Sequence, residues 1–269
     1  MSGRSVSSRQ HPLVARFREA ARRSGEAVLL DGGHLVAEAI AAGLTIDVTA
    51  FDRDALARPE IARLADMRGI GEVVFVTESV LDAMSPTRTP MGVVALARRP
   101  HHNPGGVLAG DPPLIVVAID VQDPGNLGAL VRAAEAGGAT AVVATMGSAD
   151  AFGWKALRGS MGSAFRLPIV RVRNAFEALA TVRGAPGLRV AATVPVDGVP
   201  MSHADLTGPL AIVVGAEGSG LPEDVVAAAD LRVSIPMARR VESLNVAVAT
   251  ALLVYEAGRQ RAIKSTKGV

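Results

Sequence analysis

Leu114-Ile115-Val116-Val117-Ala118-Ile119, followed at once by Asp120-Val121-Gln122-Asp123-Pro124-Gly125-Asn126-Leu127-Gly128-Ala129-Leu130-Val131-Arg132, decides the reading of the fold. An unbroken apolar run suits a strand covered on both faces, because a strand with one wet face would alternate. Asp123-Pro124-Gly125 is a turn, and a helix follows near Asn126–Ala136. Asn126 then lies in the first helical turn and Arg132 less than two turns further on. Ligands of parallel α/β sheets gather at the carboxyl ends of strands, so this turn is a candidate site. Taken alone, Arg132 between Val131 and Ala133 reads first as a solvent-facing side chain.

Downstream the pattern repeats. Strands are expected at Ala141–Met146, Ile169–Val172, Arg189–Val194, Leu210–Gly215 and Leu231–Ile235. Helices are expected around Trp154–Met161, at Ala175–Val182, just after Pro222, and at Leu244–Arg261, with a disordered tail from Lys264 to Val269. Such alternation predicts a parallel sheet with helices on both faces. Upstream, Arg98-Arg99-Pro100-His101-His102-Asn103-Pro104-Gly105-Gly106, running on to Asp111-Pro112-Pro113, interrupts both periodicities and reads as a linker. Before it, strands at Ala27–Leu30, Ile46–Phe51, Val73–Thr77 and Val93–Ala97 and helices at His34–Ala42 and Leu56–Met67 predict a small α/β domain. The expected division is residues 1–99, a linker 100–113, and a second domain 114–263.

Composition narrows the function. Of 269 residues, 49% are hydrophobic, enough for a sizeable core, yet no uninterrupted apolar stretch has the length of a membrane span. Met1–Arg9 is rich in Ser and Arg with no apolar run behind it, so no secretory signal is expected. With no cysteine there are no disulfides, thiolate zinc sites or cysteine nucleophiles, which fits a reducing cytoplasm. The five histidines lack metal-ligand spacing, so no metal is expected. Net charge is only +2, but basic residues cluster at 1–30 (Arg4, Arg9, Arg16, Arg18, Arg22, Arg23) and at 153–173 (Lys155, Arg158, Arg166, Arg171, Arg173). These clusters suit phosphate contacts, or simply solvated faces. Aromatic residues are 3% of the chain, which disfavours a base-stacking sheet.

Two further segments leave apolar strands. In Gly215-Ala216-Glu217-Gly218-Ser219-Gly220-Leu221 the glycines allow close backbone approach to a ligand. Their spacing is not that of a dinucleotide fingerprint, and Glu217 stands where a pyrophosphate would sit. Glu217 could instead cap a helix. A serine hydrolase is disfavoured because no G-x-S-x-G occurs. In Ile235-Pro236-Met237-Ala238-Arg239-Arg240-Val241-Glu242-Ser243-Leu244-Asn245 a loop leads into the last helix, with Ser243 as its expected N-cap and Asn245 in its first turn.

In this order, D-P-x-N-x-G-x-x-x-R, G-x-E-G-x-G-L and I-P-M-x(5)-E-S-L-N resemble the three motifs of the SpoU (TrmH-type) branch of the SPOUT methyltransferases. Arg158-Gly159-Ser160-Met161-Gly162-Ser163 resembles the segment between the first two motifs. Leu29-Leu30-Asp31-Gly32-Gly33-His34-Leu35-Val36 and Thr89-Pro90-Met91-Gly92-Val93-Val94-Ala95 resemble the family's substrate-binding domain, similar to ribosomal protein L30e. The resemblance implies a parallel sheet with a trefoil knot, a homodimer, and transfer of a methyl group from S-adenosylmethionine to a ribose 2′-hydroxyl of RNA. Ribosomal RNA is favoured over transfer RNA; a non-catalytic RNA-binding protein that kept the fold is the alternative from another class.

It further implies a pocket for the cofactor made by Thr193, Gly215, Glu217, Gly218, Ile235, Met237, Ser243 and Leu244. Arg132 would face the methyl group, with Asn126, Glu217, Ser243 and Asn245 around it. The family's arginine is proposed as a general base, but a guanidinium is a poor one, and a grip on the substrate phosphate is the role preferred for Arg132. RNA would be bound through Arg9, Arg16, Arg22, Arg23, Lys155, Arg158 and Arg166. Departures include Arg239 where the family often has glycine, and His11 where an Asn-Pro pair is usual.

Overall fold

The computed structural model describes residues 4–239 and 241–267. They form two compact units. One comprises residues 1–100 together with 152–166; the other comprises 101–151 and 167–269. From sequence, 152–166 belongs inside the second domain; in the structure it folds with the first.

The first unit contains β1 (Arg4–Val6), α1 (Pro12–Arg22), β2 (Ala27–Asp31), α2 (Gly33–Ala41), β3 (Ile46–Asp52), α3 (Pro59–Ala65), β4 (Glu72–Val76), α4 (Glu78–Met84) and β5 (Val93–Arg98). Its mixed sheet has the order β1-β4-β3-β5-β2. The expected single helix at Leu56–Met67 is instead a 3-10 turn at Asp54–Ala57 followed by α3. Pro59 is the reason: it has no N–H to extend the turn and is well placed to start a new helix. Between β1 and β5 two helices went unread from sequence. In α1, Leu13, Val14 and Phe17 are buried on one face beneath the arginines that dominate the reading of this stretch. In α4, Val80, Leu81, Ala83 and Met84 are buried. His11 takes up the capping work of an asparagine, its Nδ1 accepting the backbone N–H of Leu13 at 3.1 Å.

The second unit begins with β6 (Leu114–Ala118), α5 (Pro124–Ala136) and β7 (Ala141–Thr145). The chain then passes through α6 (Trp154–Ser160) and α7 (Ser163–Arg166), which belong to the first unit. It returns with β8 (Ile169–Val172), α8 (Ala175–Val182), β9 (Arg189–Thr193), β10 (Val199–Pro200), β11 (Leu210–Val214), α9 (Glu223–Ala227), β12 (Leu231–Ser234) and α10 (Val246–Lys267). The strands form one parallel sheet, β10-β12-β9-β11-β6-β7-β8. Every residue of β6, β7 and β11 is buried, as the unbroken apolar runs demand. Ile115, Val117, Val143 and Val213 pack with α8 residues Ala178, Leu179 and Val182. Helix α10 packs on α5 and on β11. It runs through Lys267 where a disordered tail was expected from Lys264; residues 268 and 269 lie outside the described residues. Side-chain ties hold it. Gln260 Nε2 donates to the Ala204 carbonyl at 3.0 Å, and Arg261 donates to the carbonyls of Pro112 and Pro113, each at 3.0 Å.

Candidate active site

The second and third motifs meet at the carboxyl ends of β9, β11 and β12 around a cleft of about 490 Å³, and the first motif joins them through hydrogen bonds of Asn126. This volume lies in the ordinary range for a small organic ligand. Thr193, Gly215, Glu217 and Gly218 line one part of it, and Ile235, Met237, Ser243 and Leu244 another, so all eight residues of the expected cofactor set share one cavity.

The glycine turn has a steric cause. Ala216 pairs back onto Gly220, whose N–H donates to the Ala216 carbonyl at 3.0 Å. A Cβ on Gly215 would lie 2.3 Å from the Gly220 carbonyl oxygen, so a side chain there would push the turn open. Gly218 has φ +88°, a conformation that costs an L side chain energy. Glycine at 215 therefore lets the loop close on itself, rather than giving a ligand access to the backbone.

Asn245 organises the polar end of the cleft. It, and not the expected Ser243, caps α10: its Oδ1 accepts the N–H of Ala247 at 3.0 Å. With Oδ1 so engaged, Nδ2 must point the other way. There it donates to Asn126 Oδ1 at 2.9 Å and to Glu217 Oε1 at 3.1 Å. Asn126 in turn donates from Nδ2 to Glu217 Oε1 at 2.6 Å. Asn126 is held in place by Asp123, which accepts its backbone N–H at 2.8 Å and caps α5. One carboxylate oxygen of Glu217 thus takes two amide donors from positions 91 and 28 residues away. Among the described residues its other oxygen has no protein partner. Glu217 is no helix cap.

Ser243 is exposed on the cleft wall. Arg132 is exposed on α5, outside the cleft lining, and without a hydrogen bond or ion pair among the described residues. Six residues of helix carry it about 240° round from Asn126 and about 9 Å along the axis. Within one chain, then, Asn126, Glu217, Ser243 and Asn245 are gathered and Arg132 is not. Val194, Val226, Val246 and Ala249 also line the cavity. Sequence offered no signal for them, since apolar residues at strand ends and in helices are everywhere in this chain.

Among the described residues no Lys or Arg lines the cleft, while Glu217 and Glu242 do. It suits a nucleoside carrying positive charge and offers nothing to a polyphosphate. S-adenosylmethionine, an adenosine joined to a sulfonium and without phosphate, fits that donor set. No group of three or more His, Cys, Asp or Glu side chains among the described residues could hold a metal. No described helix is long and apolar enough to cross a membrane.

The expected RNA-contacting residues all belong to the first unit. Arg9, Arg16, Arg22 and Arg23 are exposed on and beside α1, and Lys155 and Arg158 are exposed on α6. Arg166 is ion-paired with Glu38. The basic run 153–173 is not one patch. Arg171 and Arg173 fall in the second unit, where Arg171 donates to the carbonyls of Met146 and Ser148 and Arg173 pairs with Glu177.

Comparison with known proteins agrees with this geometry. Residues 113–255, more than half of the chain, match the SpoU rRNA Methylase family, and residues 15–95 match the MRM3-like substrate binding domain. The 23S rRNA (guanosine(2553)-2'-O)-methyltransferase RlmP of Bacillus subtilis is 34% identical over 227 residues, covering 84% of this chain and 86% of that protein. The AdoMet-bound rRNA methyltransferase from Sinorhizobium meliloti superposes with TM-score 0.83 at 28% identity, over 95% of this chain and 97% of that one. AviRb from Streptomyces viridochromogenes, solved in complex with AdoMet, gives TM-score 0.84 at 27% identity, over 94% and 99% of the two chains. With its three motifs folded into one hydrogen-bonded site and a substrate-binding unit ahead of them, the chain belongs to the SpoU rRNA methylase family.

Proposed function

We propose that this protein methylates a ribose 2′-hydroxyl in ribosomal RNA, with S-adenosylmethionine as methyl donor. The observation that carries the reading is the Asn126–Glu217–Asn245 cluster beside a cleft lined by carboxylates and by no basic side chain among the described residues. When bound, the cofactor supplies an electrophilic methyl group on a sulfonium. The chain supplies placement. Gly215–Leu221 and Ile235–Val246 wall the cavity, and the two amides hold Glu217 so that its second oxygen faces outward to accept a hydrogen bond from the ribose hydroxyl. Orientation of this kind contributes up to about 7–11 kcal/mol to a bimolecular reaction in ideal cases.

Arg132 enters this reading as the phosphate grip, contributed to the cleft of a second copy. Helix α10, packed on α5, exposes Val248 (48%), Leu252 (38%) and Tyr255 (57%) at one-turn spacing, an apolar stripe suited to a homodimer. The trefoil knot belongs to the same proposal. Strand β12 lies between β10 and β9, and the chain after it runs across to α5 on the other side of β9 and β11. An RNA substrate of the ribosome, and a chain without cysteine, suit the cytoplasm.

The test is incubation with tritiated cofactor and, separately, ribosomal and transfer RNA, followed by mapping of 2′-O-methylated positions. Label in ribosomal RNA is expected. Label in transfer RNA alone would change the substrate, and no label in either would leave a binding protein. Mixing Arg132→Ala with Asn245→Ala chains tests the dimer: activity returns if each active site draws on two copies, and stays lost if one chain supplies everything.

A further inference from the structure

The return of residues 152–166 to the first unit builds a second cleft, of about 370 Å³, that neither basic cluster revealed on its own. Arg9 and Arg22 line it from the N-terminal cluster and Trp154 from α6, with Met84 and Asp82 from α4. Trp154 is the only tryptophan in the chain; it is half-buried, packed against the core of the unit. Lys155 Nζ stands 5.5 Å from the centroid of its ring. Arg18 is tied down, its Nε donating to the Ala83 carbonyl at 2.9 Å. Arg9 and Arg22 have neither ion pair nor hydrogen bond among the described residues.

An aromatic ring in a small cleft rimmed by unpaired guanidiniums, with a lysine ammonium over the ring that a base would displace toward a phosphate, matches the chemistry of one unpaired nucleotide. The ring offers a stacking face, the cations meet the flanking phosphates, and the Asp82 carboxylate accepts from an amino or ribose hydroxyl group. We propose that this cleft is a subsite for a single unstacked nucleotide of the RNA, its base on Trp154 and its phosphates on Arg9 and Arg22. The inference rests on the RNA-directed reading above and adds to it. The first unit selects RNA by a splayed-out base, and not only by backbone charge.

The sole tryptophan is its own reporter. The full chain is titrated with fluorescein-labelled hexaadenylate, with a duplex of equal length and with inorganic phosphate, following tryptophan emission and label anisotropy together. Hexaadenylate is expected to quench the emission, and duplex and phosphate to leave it unchanged at matched ionic strength. Trp154→Ala is expected to weaken hexaadenylate binding by between about fivefold and a hundredfold, and Trp154→Phe to restore most of it. Arg9→Ala and Arg22→Ala are each expected to reduce the slope of log affinity against log salt by about 0.7. Hexaadenylate binding with unchanged emission, or full affinity in Trp154→Ala, overturns the subsite. Quenching by phosphate alone overturns it too, leaving an anion site. Calorimetric titration of S-adenosylmethionine into the same samples separates the two readings. If the cofactor binds but neither hexaadenylate nor ribosomal RNA does, the RNA-directed reading fails together with the subsite. If ribosomal RNA binds with the emission unmoved, the subsite alone fails.

Discussion

Replacing Asn245 by Asp tests the active-site geometry with a single added charge. The carboxylate keeps an oxygen for the N–H of Ala247, and aspartate caps helices as well as asparagine does, so α10 should start as before. What changes is the other end of the side chain. A donor that faced Asn126 Oδ1 at 2.9 Å and Glu217 Oε1 at 3.1 Å becomes an acceptor facing two acceptors. Two unit charges 3.1 Å apart repel by about 1 kcal/mol at the dielectric constant of water and about 5 kcal/mol at an effective value of 20. The exposure of Glu217 and Asn245 puts the free protein near the lower figure. Like charges raise the pKa of the pair, so one proton is taken up as pH falls, and the hydroxyl it makes restores the lost donor. Asn245→Asp should therefore lose methyl transfer at pH 8 and recover part of it toward pH 5, against a wild-type control at each pH. Asn245→Ala should lose the cap, about 1 kcal/mol or a few degrees of Tm, and show no such recovery. Rates from tritiated methyl incorporation and Tm from circular dichroism decide it. Equal activity of Asn245→Asp and wild type at pH 8, or parallel pH profiles for the two variants, would refute the argument.

Gly215→Ala places a Cβ 2.3 Å from a backbone oxygen and should open the turn, costing about 1–3 kcal/mol in thermal unfolding and weakening cofactor binding in calorimetry. Arg132→Ala should abolish methyl transfer while Tm and cofactor affinity stay near wild type, because the side chain is exposed and outside the cleft; retained turnover removes it from the mechanism. The guanidinium of Arg259 and the amide of Gln260 hold the Glu256 carboxyl down from 4.5 to about 2. A depressed carboxyl stabilises the fold above its unfolded pKa and loses that contribution as pH falls through the folded one. Acid unfolding should thus draw on Glu256 between pH 4.5 and 2, and Glu256→Gln should flatten that part of a Tm-against-pH curve.

Removal of residues 1–100, an obvious way to isolate the catalytic half, should fail for a reason absent from the linear order. Residues 152–166 fold with the N-terminal unit, where Ala156, Leu157 and Phe165 are buried. The truncated chain would expose them, and aggregation during size-exclusion chromatography is the expected result.

The amino-acid sequence by itself determined the parallel sheet, because fully apolar runs such as Leu114–Ala118 and Leu210–Val214 have nowhere stable to go except between two helical layers. The resemblance carried by its three motifs singled out Asn126, Glu217, Ser243 and Asn245, and the structure brings these four together. Local rules erred where a second element intervened: Pro59 split a helix, Asn245 took the cap expected of Ser243, and α10, anchored by Gln260 and Arg261, runs on through Lys267. Only the tertiary structure decided which partners these side chains meet. Glu217 receives donors from positions 91 and 28 residues away, Arg132 points off the cleft, and a segment from the middle of the chain joins the first unit to set Trp154 among its arginines. The physical reason is range. Apolar periodicity is written in neighbours three or four residues apart, whereas a hydrogen-bonded site is written in the crossing of loops whose separation along the chain carries no local signal.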